Sequence, residues 1–166
     1  VLLSKAFGFA KRIKDLVLFG YVVMSNHVHL IIQSSDGKLS NLIRDIKAFS
    51  AKKILGTIKE GSESRSDWML KRFEWAAKSN SRNGGMQFWK YGNHPEGIYS
   101  EKFFWSKINY IHMNPVRAKL VYKASDYMYS NAANYVTDEG IIAIELMPVP
   151  KIDARKSDWT KEIENW

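Results

Sequence analysis

Two histidines separated by one residue, His27 and His29, lie in the run Gly20-Tyr-Val-Val-Met-Ser-Asn-His-Val-His-Leu-Ile-Ile32. Side chains alternate faces along a strand, so residues two apart point the same way. The two imidazoles therefore project from one face, and Val28, Leu30 and Ile32 go to the other, which is free to be buried. Paired imidazoles on a rigid strand suit a divalent metal ion. Two ordinary half-exposed histidines are the alternative. The chain has no cysteine, so further metal ligands must be carboxylates, amides or waters.

A second set of polar groups shares a helical spacing. Tyr110 and Asn114 are four residues apart, which stacks them on one helix face, and Lys107 joins them from one turn earlier. That face differs from the apolar stripe of Phe104, Ile108 and Ile111, so Tyr110 is not required by the core. A half-buried tyrosine with a bonded hydroxyl is the competing reading.

The elements that must position these groups follow from periodicity and punctuation. Residues from Val1 to about Arg12 read as a helix, Leu16–Met24 as a strand, Ser25-Asn26 as a turn and His27–Gln33 as the antiparallel partner strand. A long helix spans Ser40 to Lys59 with Ser40 as its N-cap and Leu42, Ile43, Ile46, Phe49, Ile54 and Ile58 as its stripe. Arg44, Lys47, Lys52 and Lys53 lie mostly off that stripe, as phosphate contacts or as a solvated face. Asp67–Lys78 is a further helix, Ser79–Gly85 a loop and Gln87–Tyr91 a strand. Ser100 caps the helix that carries Tyr110, and Asn114-Pro115 closes it. A last strand is expected at Gly140–Leu146. The pattern predicts an α+β fold with a mainly antiparallel sheet and the helices at 1–12 and 40–59 on one face. An acidic tail is expected over 147–166.

The 166 residues are 45% hydrophobic and carry a net charge of +8, which predicts a folded domain with a core rather than a disordered chain. The charge is uneven: residues 1–123 hold 21 Lys/Arg against 9 Asp/Glu, and residues 124–166 hold 4 against 8. A basic body with an acidic tail points to an anionic partner, nucleic acid first. No apolar run reaches the roughly 20 residues that span a bilayer. The absence of cysteine fits a reducing cytoplasm.

The run 20–32, followed by Tyr110-Ile-His-Met-Asn-Pro-Val-Arg-Ala118, resembles the single-tyrosine HUH transposases, in particular the REP-associated tyrosine transposases. Leu39–Lys47, Gln87-Phe-Trp89, Asn93-His-Pro95 and Asp126–Asn131 add to the likeness, which covers about residues 1–146 and implies that they are the catalytic domain. The resemblance implies a ferredoxin-like sheet and a nucleoid-associated enzyme that cuts and rejoins single-stranded or hairpin DNA with Mg²⁺ or Mn²⁺. It implies Tyr110 as nucleophile, His27 and His29 as metal ligands with Asn114 completing the set, and Arg44, Lys47, Lys52, Lys53, Lys107 and Arg117 as DNA contacts. His112, two residues after Tyr110, faces elsewhere and is not assigned to metal. Related enzymes begin with a strand before the first helix, which this chain lacks. Either the sequence is truncated, or the gap is expected to be filled by another segment or by a second subunit, and a homodimer is expected. The rival readings are a decayed or domesticated protein that binds DNA without cutting it, and a hydrolase that uses water while Tyr110 is structural.

Overall fold

A computed structural model describes residues 16–61, 64–78, 85–149 and 166. The expected first helix, and the place of the family's first strand before it, lie outside the described residues. The chain forms two compact units, residues 1–12 with 38–95 and residues 13–37 with 96–166.

In the second unit β1 (Leu16–Val23) and β2 (Val28–Ser34) pair antiparallel. The backbone N–H of Met24 donates to the His27 carbonyl at 2.9 Å, closing the turn over Ser25-Asn26. The ladder thus starts at Val28, and His27 lies just outside it, at the end of the turn. A bulge at Phe19 shifts the register between Leu18 and Gly20, and this reverses which β1 residues share a face with the odd-numbered residues of β2.

Helix α3 (Glu101–Arg117) packs on these strands; α1 and α2 belong to the first unit. The Ser100 hydroxyl accepts from the Phe103 N–H at 3.2 Å, so the expected N-cap is present. Phe104, Trp105, Ile108 and Ile111 of α3 join Val22 and Ile31 in one core. Since Ile31 shares its strand face with His29, the histidine face is also the face that α3 covers, and the site borders the core. Pro115 does not close the helix as expected. It is buried inside α3, which continues to Arg117 and is followed by the C-cap Ala118 and by Lys119 at φ 58°. Packing of the proline ring and the N–H of Leu120 on the Pro115 carbonyl (2.9 Å) outweigh the local preference against helix at Asn114.

The outer edge of β1 is not left open. Val23 N–H donates to Tyr129 O (2.9 Å), Asn131 N–H to Tyr21 O (3.1 Å), and Glu145 N–H to Leu18 O (2.8 Å). Tyr21 N–H donates to the Asn131 side-chain oxygen at 2.8 Å. Residues 129–131 therefore do part of the work of a neighbouring strand. The strand expected at Gly140–Leu146 does not form; Asn134 instead donates to the Ile142 carbonyl, which pulls this stretch off a ladder. A short helix, α4 (Ala132–Val136), follows the 129–131 segment.

The first unit holds α1 (Leu39–Lys59) and α2 (Ser66–Lys78). Ser40 lies inside the first turn of α1, and Lys38 is the N-cap residue, whose side chain does not cap the helix. The expected strand Gln87–Tyr91 does not form a ladder. Its bonds go to the helices: Gln87 N–H to Phe73 O at 2.9 Å and the Trp89 indole N–H to Ser50 Oγ at 2.9 Å. Among the described residues the fold is α+β, with a partial ferredoxin-like antiparallel sheet covered by a helix. No described helix is long and apolar enough to cross a membrane.

Candidate active site

The hairpin end of β2 and the exposed side of α3 bring three side chains together. The rings of His27 and His29 lie 4.9 Å apart, and the ring of His29 lies 5.3 Å from that of Tyr110. Eighty-one positions separate His29 from Tyr110 in the chain. Core packing closes that gap: His29 pairs across the sheet with Val22, and Val22 and Ile108 are fully buried in the same cluster. Gly20 allows α3 to come this close, since a Cβ there would stand 2.7 Å from Ile108 Cδ1.

Each histidine has its own environment. His27 is exposed and its Nδ1 lies 2.6 Å from the Asn26 side-chain oxygen. That oxygen can only accept, so Nδ1 carries the hydrogen and Nε2 keeps its lone pair for a ligand. The pKa of His29 is lowered, first by burial and then by the nearby charges of His27 and Lys107, which favours the neutral, metal-competent ring.

Tyr110 is 46% exposed, and the Arg117 guanidinium lies 5.7 Å from its ring centroid. Asn114 follows one turn later in unbroken helical geometry and is half-buried. Lys107 forms an ion pair with Glu96, and its ammonium lies 4.8 Å from the Phe103 ring. His112 turns away from this face, as expected. It is fully buried against Trp166 (4.1 Å between rings) and Tyr135 (5.6 Å), and burial drives its pKa down to about 3.

Asn26 and Glu96 are absent from the residues singled out by sequence. Asn26 reads there only as a turn residue, although its adjacency to His27 was available as a signal. Glu96 lies outside any periodic element, so no spacing links it to Lys107.

Among the described residues no group of three or more His, Cys, Asp or Glu side chains could hold a metal ion. The donors present are two adjacent imidazoles bordered by a phenol and, on the same helix face, an amide. Two imidazoles with oxygen ligands from amide, water or phosphate make a mixed nitrogen–oxygen donor set, whose imidazoles suit a divalent transition ion such as Mn²⁺ better than the oxygen-seeking Mg²⁺.

The basic residues of α1 lie in the first unit and have unequal freedom. The Lys47 ammonium donates to the carbonyls of Lys90 (3.3 Å) and Gly92 (3.1 Å). Arg44 pairs with Asp45 at 3.0 Å and bonds Asn41 at 3.3 Å. Lys52 and Lys53 are exposed.

A family model described as "Transposase IS200 like" matches residues 3–87, just over half of the chain. The match includes His27 and His29 and ends before Tyr110. No curated protein and no solved structure matches.

Proposed function

The chain belongs to the IS200-like transposase family, and from that premise we propose that it nicks single-stranded or hairpin DNA and transfers the strand through a 5′-phosphotyrosine link to Tyr110. Within the family we assign it to the REP-associated branch on the motifs at 20–32 and 110–118. The observation that carries the reading is the packing of Tyr110 on His29 and of His29 on His27. A merely structural tyrosine would not need to be half-exposed beside two histidines.

The Tyr110 oxygen attacks the phosphorus in line. The bond from phosphorus to the 3′ oxygen breaks, that oxygen leaves as a free 3′-hydroxyl with the proton the phenol gives up, and the 5′ phosphate stays esterified to the tyrosine. Reversal with another 3′-hydroxyl rejoins the strand, so neither ATP nor a water nucleophile is consumed. His27, His29 and Asn114 would hold the cation, with Asn26 fixing the His27 ring. When bound, Mg²⁺ or Mn²⁺ would neutralise a non-bridging phosphate oxygen and orient the phosphate. Arg117 and Lys107 supply fixed positive charge beside the phosphate, with Glu96 restraining the lysine. Lys52, Lys53, Arg44 and Lys47 contribute phosphate contacts from α1.

The test is incubation with a library of single-stranded hairpins plus Mn²⁺, scored for covalent adducts on a denaturing gel. Tyr110→Phe should abolish the adduct and leave DNA affinity nearly unchanged. An adduct that persists would name another nucleophile. Cleavage without an adduct in the parent chain would favour the hydrolytic reading, and binding without cleavage the decayed one. The proposal includes a homodimer. Mixing Tyr110→Phe with His27→Ala chains should restore some adduct if subunits share sites, and sedimentation as a monomer at high micromolar concentration would remove the dimer.

A further inference from the structure

Helix α2 has two apolar faces, and only one of them is needed for the core. Met69, Leu70, Phe73, Ala76 and Ala77 are turned inward and at least half-buried, with Phe73 against Phe88 at 5.4 Å. The opposite face carries Trp68, Lys71, Arg72, Trp75 and Lys78, at i, i+3, i+4, i+7 and i+10, all of them exposed. Trp68 is 62% exposed and Trp75 70%. Leaving two indoles in water forgoes the burial free energy of the largest side chains in the chain. A ligand that covered them would recover it.

The chemistry of the face selects that ligand. Three cations alternate with two flat π-systems along one helical stripe, and the Arg72 guanidinium already lies 5.9 Å from the Trp68 ring centroid. An apolar protein partner would be met by three charges to desolvate. A nucleic acid strand with unpaired bases offers phosphates for the cations and π-faces for the indoles. The spacing also agrees: seven residues at about 1.5 Å rise set the indoles roughly 10 Å apart along the helix, close to three steps of about 3.4 Å along a stacked strand.

We propose that the outer face of α2 is a stacking platform for unpaired nucleotides of the DNA substrate, with Trp68 and Trp75 holding bases and Lys71, Arg72 and Lys78 holding the phosphates between them. This rests on the reading of the chain as a DNA-processing enzyme, but it assigns a surface distinct from the tyrosine and histidine cluster.

The experiment is a titration of fluorescein-labelled oligo-dT, read by anisotropy, with the full chain, a Trp68→Ala/Trp75→Ala variant and a Trp68→Phe/Trp75→Phe variant. Circular dichroism and thermal unfolding check the fold, which these exposed positions should not disturb. Two lost stacking contacts should weaken binding by roughly tenfold or more, with the Phe pair retaining most of the affinity. Neutralising Lys71, Arg72 and Lys78 together should lower the log–log salt slope by about 2. Unchanged affinity in the Ala pair while the parent chain binds overturns the platform alone. An equal loss of blunt-duplex affinity also overturns it, because a duplex has no unpaired bases to stack. So does a change in the sedimenting species of the Ala pair, which would make a second copy the occupant. A parent chain with no affinity for any DNA overturns the DNA-processing reading itself.

Discussion

Tyr110 and His29 are ordinary side chains given a chemical task by their neighbours. A phenol lies beside two imidazoles with Arg117 over its ring, and on the proposed function it is the group that attacks the phosphate and stays joined to the cut strand. His27 and His29 should act as one unit. His27→Ala and His29→Ala are each expected to weaken Mn²⁺ binding by calorimetry and to stop cleavage, and the double variant should lose little more than either alone, since both serve one ion. Full additivity, or unchanged Mn²⁺ binding in both, would end the metal assignment. Asn26→Ala should have a smaller effect of the same sign, about 10-fold in metal affinity, as expected for a group that fixes a ligand's tautomer and ring orientation.

At the scale of elements, the site depends on how closely α3 approaches β1. Gly20 sits under Ile108, and Ile108 is fully buried, so a new side chain has no free space to enter. Gly20→Val is expected to cost about 1–3 kcal/mol by overpacking and to shift Tyr110 relative to His29. Adduct formation should then fall by more than the loss of folded protein accounts for, which chemical denaturation and adduct yield measured together would reveal. Helix α1 makes a separate prediction. Lys52 and Lys53 are exposed, whereas the Lys47 ammonium is engaged by two carbonyls. Each true phosphate contact should contribute about 0.7 to the single-stranded salt slope, so Lys52→Gln and Lys53→Gln should each, taken singly, lower it by more than Lys47→Gln does. The reverse order would show that Lys47 leaves its carbonyls to meet DNA.

At the scale of the whole molecule, the buried ring of His112 links stability to pH. Its pKa is about 3 in the folded chain, against about 6.5 when unfolded. Below the unfolded value the unfolded chain binds a proton that the native chain refuses, so stability falls as pH drops. The loss begins near pH 6.5 and grows by at most ~1.4 kcal/mol per pH unit for this one group until about pH 3. Denaturant midpoints at pH 7, 6 and 5 measure it, above the range where carboxylates dominate. A profile as flat in the parent chain as in His112→Gln would show that His112 takes up its proton without unfolding. The second unit thus gathers the buried His112, the histidine hairpin and the helix of the proposed nucleophile in one fold.

Much of the chemistry was legible in the linear order because it rests on short-range rules. Period-two alternation put His27 and His29 on one side, the Ser25-Asn26 turn defined the hairpin, and helical spacing aligned Lys107, Tyr110 and Asn114 apart from the core stripe. Where a preference could be overruled by packing, the sequence misled: Pro115 lies inside α3, and neither 87–91 nor 140–146 forms a ladder, the first bonding to α1 and α2 and the second to the Asn134 side chain and, through the Glu145 N–H alone, to β1. Other features had no local signal at all. The bulge at Phe19, the cover of the β1 edge by residues 129–131, the Glu96 partner of Lys107 and the meeting of His29 with Tyr110 all join residues distant in the chain. Local propensity and periodicity report only what a segment prefers on its own; which distant segments meet is set by the shape of the shared core, and only the folded chain possesses that.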